Sequence, residues 1–237
     1  MKTTTYCHKM AMISRCFVFM SAILILSFPL QAQEREDFQA EITTDIVSRN
    51  IWRGVYQAGG SIQPSLTAGY KNFELYVWGT TDFQATSHEV DFTISYTFRG
   101  FTLGITDYWC GNNTDTYSRN HQFERNLKYA FDKIPLSLEW NTIFYGEDKP
   151  FVYSSYAEIK YKLELPSINF DFSLGFTPWK NQVLETDKFA VTNLLATAGK
   201  RISISSLFDM FPSCTLLYNP TTDQLFFVAK IGFLFSK

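Results

Sequence analysis

Residues 89–98 read EVDFTISYTF, and this stretch decides the fold class. Apolar side chains occupy every second position from Val90 to Phe98, with polar or charged side chains between them. A period of two is the pattern of a β-strand that has one apolar and one polar face. The same alternation recurs in residues 136–145 (LSLEWNTIFY), 168–177 (INFDFSLGFT) and 227–235 (FVAKIGFLF). The chain is therefore predicted to be all-β.

Weaker copies of this pattern fill the remaining sequence and predict about 12 strands in all. The predicted ranges are 38–47, 61–70, 73–81, 88–98, 101–110, 122–131, 134–145, 151–163, 167–178, 188–198, 212–219 and 225–235. Tight links, such as 71–72 and 99–100, alternate with longer polar stretches, such as 48–60 and 111–121. One connection, 199–211, is long where a tight link is expected. An even strand number with turns at one end and long loops at the other is typical of bacterial outer-membrane barrels.

The N-terminal residues 1–32 are predicted to be a cleaved signal peptide. Lys2, Lys9 and Arg15 precede an apolar run at 17–29, and a small residue, Ala32, closes the segment. A retained membrane anchor is the alternative, disfavoured because the run is short and ends in proline. This leaves residues 33–237 as one barrel domain destined for the cell outer membrane. The net charge of −2 gives no support for a nucleic-acid partner.

The alternation alone does not say which face of the sheet points inward. A secreted β-sandwich would bury the apolar face, whereas an outer-membrane barrel turns that face to the lipid bilayer. Aromatic residues near the strand ends favour the bilayer, because aromatic rings collect at membrane interfaces. They form two groups, with Trp109, Tyr145, Tyr153, Trp179 and Tyr218 on the long-loop side and Tyr70, Tyr96, Tyr129 and Tyr161 on the short-turn side. We therefore predict a closed antiparallel transmembrane β-barrel.

Charged residues at the middle of the strands support the same orientation. In a dry core they would need partners at a high energetic cost, whereas a polar lumen accommodates them. The candidates for lining the pore are Glu41, Asp45, Glu74, Glu89, Asp91, Glu124, Lys128, Glu139, Glu158, Lys160, Lys162 and Asp171.

The stretch at residues 48–57, SRNIWRGVYQ, is the most individual segment of the chain. Together with QPSL at 63–66, Trp78-Gly79 and residues 89–91, it resembles the TorF-type porins, a family of bacterial outer-membrane barrels. The resemblance is concentrated in residues 42–96, and Asn219-Pro220 before the last strand also fits it. It implies an outer-membrane barrel with a transport role. The residues that correspond to the loop motif of that family are Arg49, Trp52, Arg53 and Gly54.

Two roles are open for this loop motif. Its arginines can form a constriction that biases a pore toward anions. Alternatively, Arg49 and Arg53 pair with acids such as Asp45 or Glu89 and brace the loop, which we favour. Gly54 would let the backbone turn where a side chain would clash.

Motifs for enzymatic chemistry are missing, so we predict that the protein is not an enzyme. His88 and its neighbour Ser87 would point to opposite faces of a strand, and His121 is expected to be solvated. The oxygen-rich segment 111–115 lacks the spacing of a calcium loop, and 147–149 is expected to be an ordinary hairpin tip. No cofactor or metal is expected, and pairing of Cys110 with Cys214 is left open.

The sequence thus predicts an outer-membrane porin that passes small hydrophilic solutes through a narrow polar lumen. Twelve strands make a narrow barrel, which its own side chains can plug. The alternatives are therefore a plugged structural or surface-interaction barrel and, less favoured, a lipid-modifying enzyme. The solute and the number of subunits are left open.

Overall fold

The computed structural model describes residues 38–111, 121–146 and 151–236. These residues form β1 Phe38–Val47, β2 Asn50–Trp52, β3 Val55–Ala58, β4 Ser61–Tyr70, β5 Phe73–Asp82, β6 His88–Phe98, β7 Phe101–Gly111, β8 His121–Ala130, β9 Leu136–Gly146, β10 Ser155–Glu164, β11 Asn169–Thr177, β12 Ala190–Gly199, β13 Ile202–Ser205, β14 Phe208–Asn219 and β15 Gln224–Ser236. Within these ranges there is no helix that is long and apolar enough to cross a membrane. The predicted signal peptide, the segment 112–120 and residues 147–150 lie outside the described residues.

Twelve of the strands form one closed antiparallel barrel, as predicted. Around the wall the order is β1, β4, β5, β6, β7, β8, β9, β10, β11, β12, β14 and β15. The ring closes because β15 pairs with β1, with Ile46 opposite Ile231, and β12 pairs with β14, with Thr197 opposite Thr215. A two-sheet sandwich is excluded because these strands all belong to one continuous sheet.

The apolar face of each strand points outward. Ile94 and Leu103, from neighbouring strands, are 57% and 61% exposed on the outer surface. Polar side chains at the alternating positions are buried inside, among them Thr106 and Asn141. This is the reverse of a water-soluble barrel and matches the predicted orientation.

Two sequence predictions need correction at the strand ends. The unexpectedly long connection at 199–211 contains the extra strand β13, which pairs with the start of β14 through Ile202 and Met210. The predicted strand 151–163 begins at Ser155 instead. A turn precedes it, in which Tyr153 has a φ of 72° and the amide of Ser154 donates to the carbonyl of Phe151.

The hairpin of β2 and β3 forms a separate two-stranded sheet between β1 and β4. It belongs to the end of the barrel that carries the connections 83–87 and 178–189, which we call the long-loop end. The tight links at 71–72 and 99–100 lie at the other end, the short-turn end.

Candidate functional site

The β2–β3 hairpin owes its shape to two residues that turn the chain. Trp52 pairs with Val55, which leaves Arg53 and Gly54 as a two-residue connection. Both have a positive φ, 51° and 88°, which is the conformation of a type I′ turn. Glycine adopts this conformation readily, so the RG pair of the loop motif makes a tight hairpin rather than an open loop.

The tip of the hairpin touches the barrel wall at β12 and β14, three and two strands around the ring from β1. A Cβ atom on Gly54 would lie 1.8 Å from the carbonyl oxygen of Thr192 on β12, so this position has no room for a side chain. The carbonyl of Gly54 accepts a hydrogen bond of 3.1 Å from the Asn219 side chain on β14, which is 2% exposed. These contacts, together with the bond from Arg53 to Glu124 on β8, place the hairpin across the lumen.

Arg53 anchors the hairpin to β8. Its two terminal nitrogens donate to the two carboxylate oxygens of Glu124, each at 2.7 Å. Glu124 is fully buried, and it also accepts bonds from the Tyr108 hydroxyl at 2.7 Å and the Asn126 amide at 3.2 Å. A buried carboxylate with this many donors and a bidentate arginine is a well-compensated charge.

Aromatic rings enclose the same guanidinium. Its central carbon lies 4.4 Å from the ring centre of Trp52 and 4.6 Å from that of Tyr156, a side chain that is 1% exposed. Trp52 in turn meets Tyr108 edge to face at 6.0 Å. Burial by itself would lower the pKa of Arg53, but the attraction of the Glu124 carboxylate raises it above its ordinary value. Arg53 is therefore a permanent cation whose charge is balanced locally.

The expected partners of the loop arginines were wrong. Arg53 pairs with Glu124, because the hairpin reaches inward across the lumen rather than along the rim. Asp45 instead binds Lys230 at 3.0 Å, and Glu89 accepts a bond from the Cys110 thiol at 3.4 Å. Arg49 is exposed.

A polar cavity of about 1030 Å³ occupies the lumen on the short-turn side of the hairpin. Four of the predicted residues line it, namely Glu41, Glu74, Lys128 and Glu139. Between these charges lie hydroxyl and amide side chains such as Thr97, Thr102 and Asn126, which no charge pattern in the sequence identifies. The cavity and the hairpin site are linked, because Asn126 contacts Glu124 and also lines the cavity.

A second cavity of about 360 Å³ lies against β1, β11, β12, β14 and β15. Asp45 and Asp171 line it, as does the cation Lys230. Two further cations, Lys200 and Arg201, come from the connection before β13 and were missed because that connection broke the predicted loop pattern. Arg201 forms an ion pair with Asp209.

The remaining predicted residues form pairs along β8 to β10. Lys160 lies 2.9 Å from Glu139 and 3.3 Å from Glu158, and Lys128 lies 3.8 Å from Glu139. Lys162 is exposed and stands opposite Asp171 in the register of β10 and β11.

Asp91 is also on the inner face, opposite Tyr108. In the part of the chain that the structure describes, one of its carboxylate oxygens is buried without a hydrogen-bond partner.

The two histidines and two cysteines among the described residues all lie on strands. His121 is not simply solvated, because its Nδ1 lies 2.8 Å from the carboxylate of Asp107. His88 forms a bond of 3.0 Å with the hydroxyl of Thr81. Cys110 and Cys214 are both free thiols. Among the described residues, no group of three or more His, Cys, Asp or Glu side chains is arranged to hold a metal ion.

Comparisons with known proteins give structural similarity at low sequence identity. No protein-family model matches the chain, and no curated protein sequence matches it either. A KdgM porin is similar at 9% identity and a TM-score of 0.48, over 84% of this chain and 99% of that chain. An outer-membrane channel from Pseudomonas putida F1 is similar at 11% identity and a TM-score of 0.46, over 89% and 99% of the two chains. A bacterial polysaccharide outer-membrane secretin is similar at 8% identity and a TM-score of 0.42, over 84% and 97%.

Proposed function

We propose that this protein is an outer-membrane porin that passes small hydrophilic solutes along a narrow polar lumen. The observation that carries the proposal is the polar cavity of about 1030 Å³ inside a closed barrel whose outer surface is apolar. Apolar side chains facing outward suit a bilayer, and a lumen lined by charges and hydroxyls suits water and dissolved solutes. The role requires no covalent chemistry and no cofactor.

In this proposal the solute path is narrowest at the hairpin. The hairpin crosses the lumen, and its Trp52 and Arg53 pack with Tyr156 of the barrel wall instead of standing as free side chains. Because Glu124 balances the charge of Arg53, the arginine does not attract anions as a bare cation would. The loop motif therefore sets the size limit of the pore and not its charge preference.

The charge preference comes from the cavity. Its lining has three carboxylates, Glu41, Glu74 and Glu139, and one lysine, Lys128. Glu139 is neutralised by its lysine neighbours, whereas neither Glu41 nor Glu74 forms an ion pair with a residue that the structure describes. Unpaired carboxylates in a pore favour cations, so we expect small cations and neutral solutes to pass more readily than anions.

A plugged barrel is the second candidate, and the anchoring of the hairpin favours it. Four strands hold the hairpin, through Glu124, Tyr156, Thr192 and Asn219. If the hairpin never leaves this position and the remaining gaps admit no ions, the protein is a structural or surface-interaction barrel.

Planar bilayer recordings separate the two candidates. For the porin we expect discrete conductance steps and a reversal potential that indicates preference for K⁺ over Cl⁻ in a KCl gradient. The double variant Glu41→Gln/Glu74→Gln should lower this preference while the steps persist. Asp187→Asn removes the same kind of charge from an exposed loop and should leave the reversal potential unchanged. A silent bilayer would refute the porin and favour the plugged barrel, and an anion preference would refute the assignment of selectivity to the cavity acids.

A further inference from the structure

Charged side chains are rare on the outer face of the barrel wall. The alternating register places mostly apolar residues there. The charged exceptions lie on β7 and β8 near the long-loop end. Arg125 follows this register beside Ile105 on β7 and Thr142 on β9, and it is exposed. Among the strand residues that the structure describes, it is the one arginine or lysine on the outward face.

Arg125 has an aromatic neighbour but no acidic partner among the described residues. Its guanidinium carbon lies 5.1 Å from the ring centre of Phe144, and it forms no ion pair with any described residue. The acid on the same face, Asp107, is held by His121 at 2.8 Å. A cation on a lipid-facing surface costs free energy unless an anion or water reaches it.

An apolar groove of about 490 Å³ adjoins the arginine. Leu103, Ile105, Leu127 and Trp140 line it, and Arg125 and Thr142 supply its polar groups. The Thr142 hydroxyl accepts a bond of 3.1 Å from the Trp140 ring nitrogen and contacts the Ser155 hydroxyl at 2.8 Å. The wall therefore has a strip of polar groups next to an apolar groove.

We propose that this part of the wall is a binding site for a phosphate-bearing lipid. The phosphate binds Arg125, whose planar guanidinium matches two phosphate oxygens, and an acyl chain lies in the groove formed by Leu103, Leu127 and Trp140. Charge complementarity identifies the headgroup, because an uncompensated cation selects an anionic lipid, and the apolar lining identifies the chain. The site rests only on the membrane setting of the proposed function and does not depend on whether the lumen conducts.

Native mass spectrometry of the delipidated protein in detergent tests the site. Phosphatidylglycerol is titrated in, and the bound fraction is compared for wild type, Arg125→Gln and Lys162→Gln. Lys162→Gln is the matched control, since it removes a cation that lies on the inner face of β10. Loss of a charge-assisted bond should weaken phosphatidylglycerol binding about tenfold in Arg125→Gln and leave it unchanged in Lys162→Gln.

Two further ligands distinguish recognition of the phosphate from recognition of the acyl chains. Diacylglycerol has the chains without the phosphate and should bind wild type about tenfold more weakly than phosphatidylglycerol. Inorganic phosphate at the same concentration should not displace the lipid, because it cannot fill the groove. The proposal is overturned if Arg125→Gln binds phosphatidylglycerol as wild type does, if diacylglycerol binds equally well, or if inorganic phosphate displaces the lipid. A protein that is silent in bilayers but passes this test would lose only the porin assignment.

Discussion

Replacing Gly54 by alanine tests whether the hairpin is held across the lumen by close packing. The added Cβ would stand 1.8 Å from the Thr192 carbonyl oxygen. An ordinary carbon–oxygen contact is about 3.3 Å, so the tip must retreat by about 1.5 Å. Because Arg53 and Gly54 form one two-residue turn, we expect this shift to displace the Arg53 nitrogens, now 2.7 Å from the Glu124 oxygens, and to break the ion pair.

The free energy of the docked hairpin changes by the sum of two effects. A non-glycine residue in the left-handed conformation costs about 1 to 2 kcal/mol. Separating a buried ion pair costs about 3 to 5 kcal/mol, because Glu124 stays buried without its cation. Even the lower values together shift the ratio of docked to released hairpin by more than about a hundredfold.

Amide hydrogen exchange of residues 50–58, measured by mass spectrometry in detergent, reads this ratio directly. Gly54→Ala should lose protection there by about a hundredfold or more, while strands of the opposite wall such as β6 keep theirs. Gly59→Ala is the matched control, because its Cβ would meet only the Tyr56 hydroxyl at 3.7 Å. Equal protection in Gly54→Ala and wild type, or an equal loss in both variants, would refute the account of the hairpin.

Two other predictions concern the two faces of the wall. Ile94→Lys, on the outer face, should lower the free energy of unfolding by about 2 to 4 kcal/mol in urea titrations with phospholipid vesicles. Ser95→Lys, one position along and facing the lumen, should lower it much less. Equal losses in the two variants would contradict the orientation. A positively charged methanethiosulfonate, which Glu89 attracts, should modify Cys110 on the inner face and change the single-channel current. Cys214 faces outward between Ala198 and Ala229, so Cys110→Ser should abolish the change in current and Cys214→Ser should preserve it. The opposite pattern would contradict the assignment of Cys110 to the inner face and Cys214 to the outer face.

The barrel was predictable because its signal is local and repeated. The period-two pattern in residues 89–98 fixes one strand and its two faces, and the same pattern in other segments fixes the strand number. The strand 88–98 has the predicted bounds, and the predicted strand 61–70 also matches. Prediction fails where a local turn interrupts the pattern. The predicted strand 151–163 begins only at Ser155, because a turn occupies the residues before it.

The hairpin site could be predicted only in part. The RG pair at Arg53 and Gly54 is a turn signal that can be read locally, and a bracing role for Arg53 was anticipated. Its partner was not, because Glu124 lies 71 positions away and no local pattern links the two. Tyr108 and Tyr156 were missed for the same reason, since they sit on polar faces where nothing in the sequence separates a site residue from a lining residue.

The pairing of Arg53 changes what the loop motif implies about selectivity. An arginine at the mouth of a pore is expected to attract anions, but this one is bonded to Glu124 through both oxygens and enclosed by two aromatic rings. Its field outside the pair is that of a dipole, which falls off faster with distance than that of a single charge. Glu41 and Glu74 line the wider cavity, and neither forms an ion pair with a residue that the structure describes. The element that narrows the lumen and the groups that select ions by charge are therefore different, so releasing the hairpin should raise conductance without reversing the preference for cations.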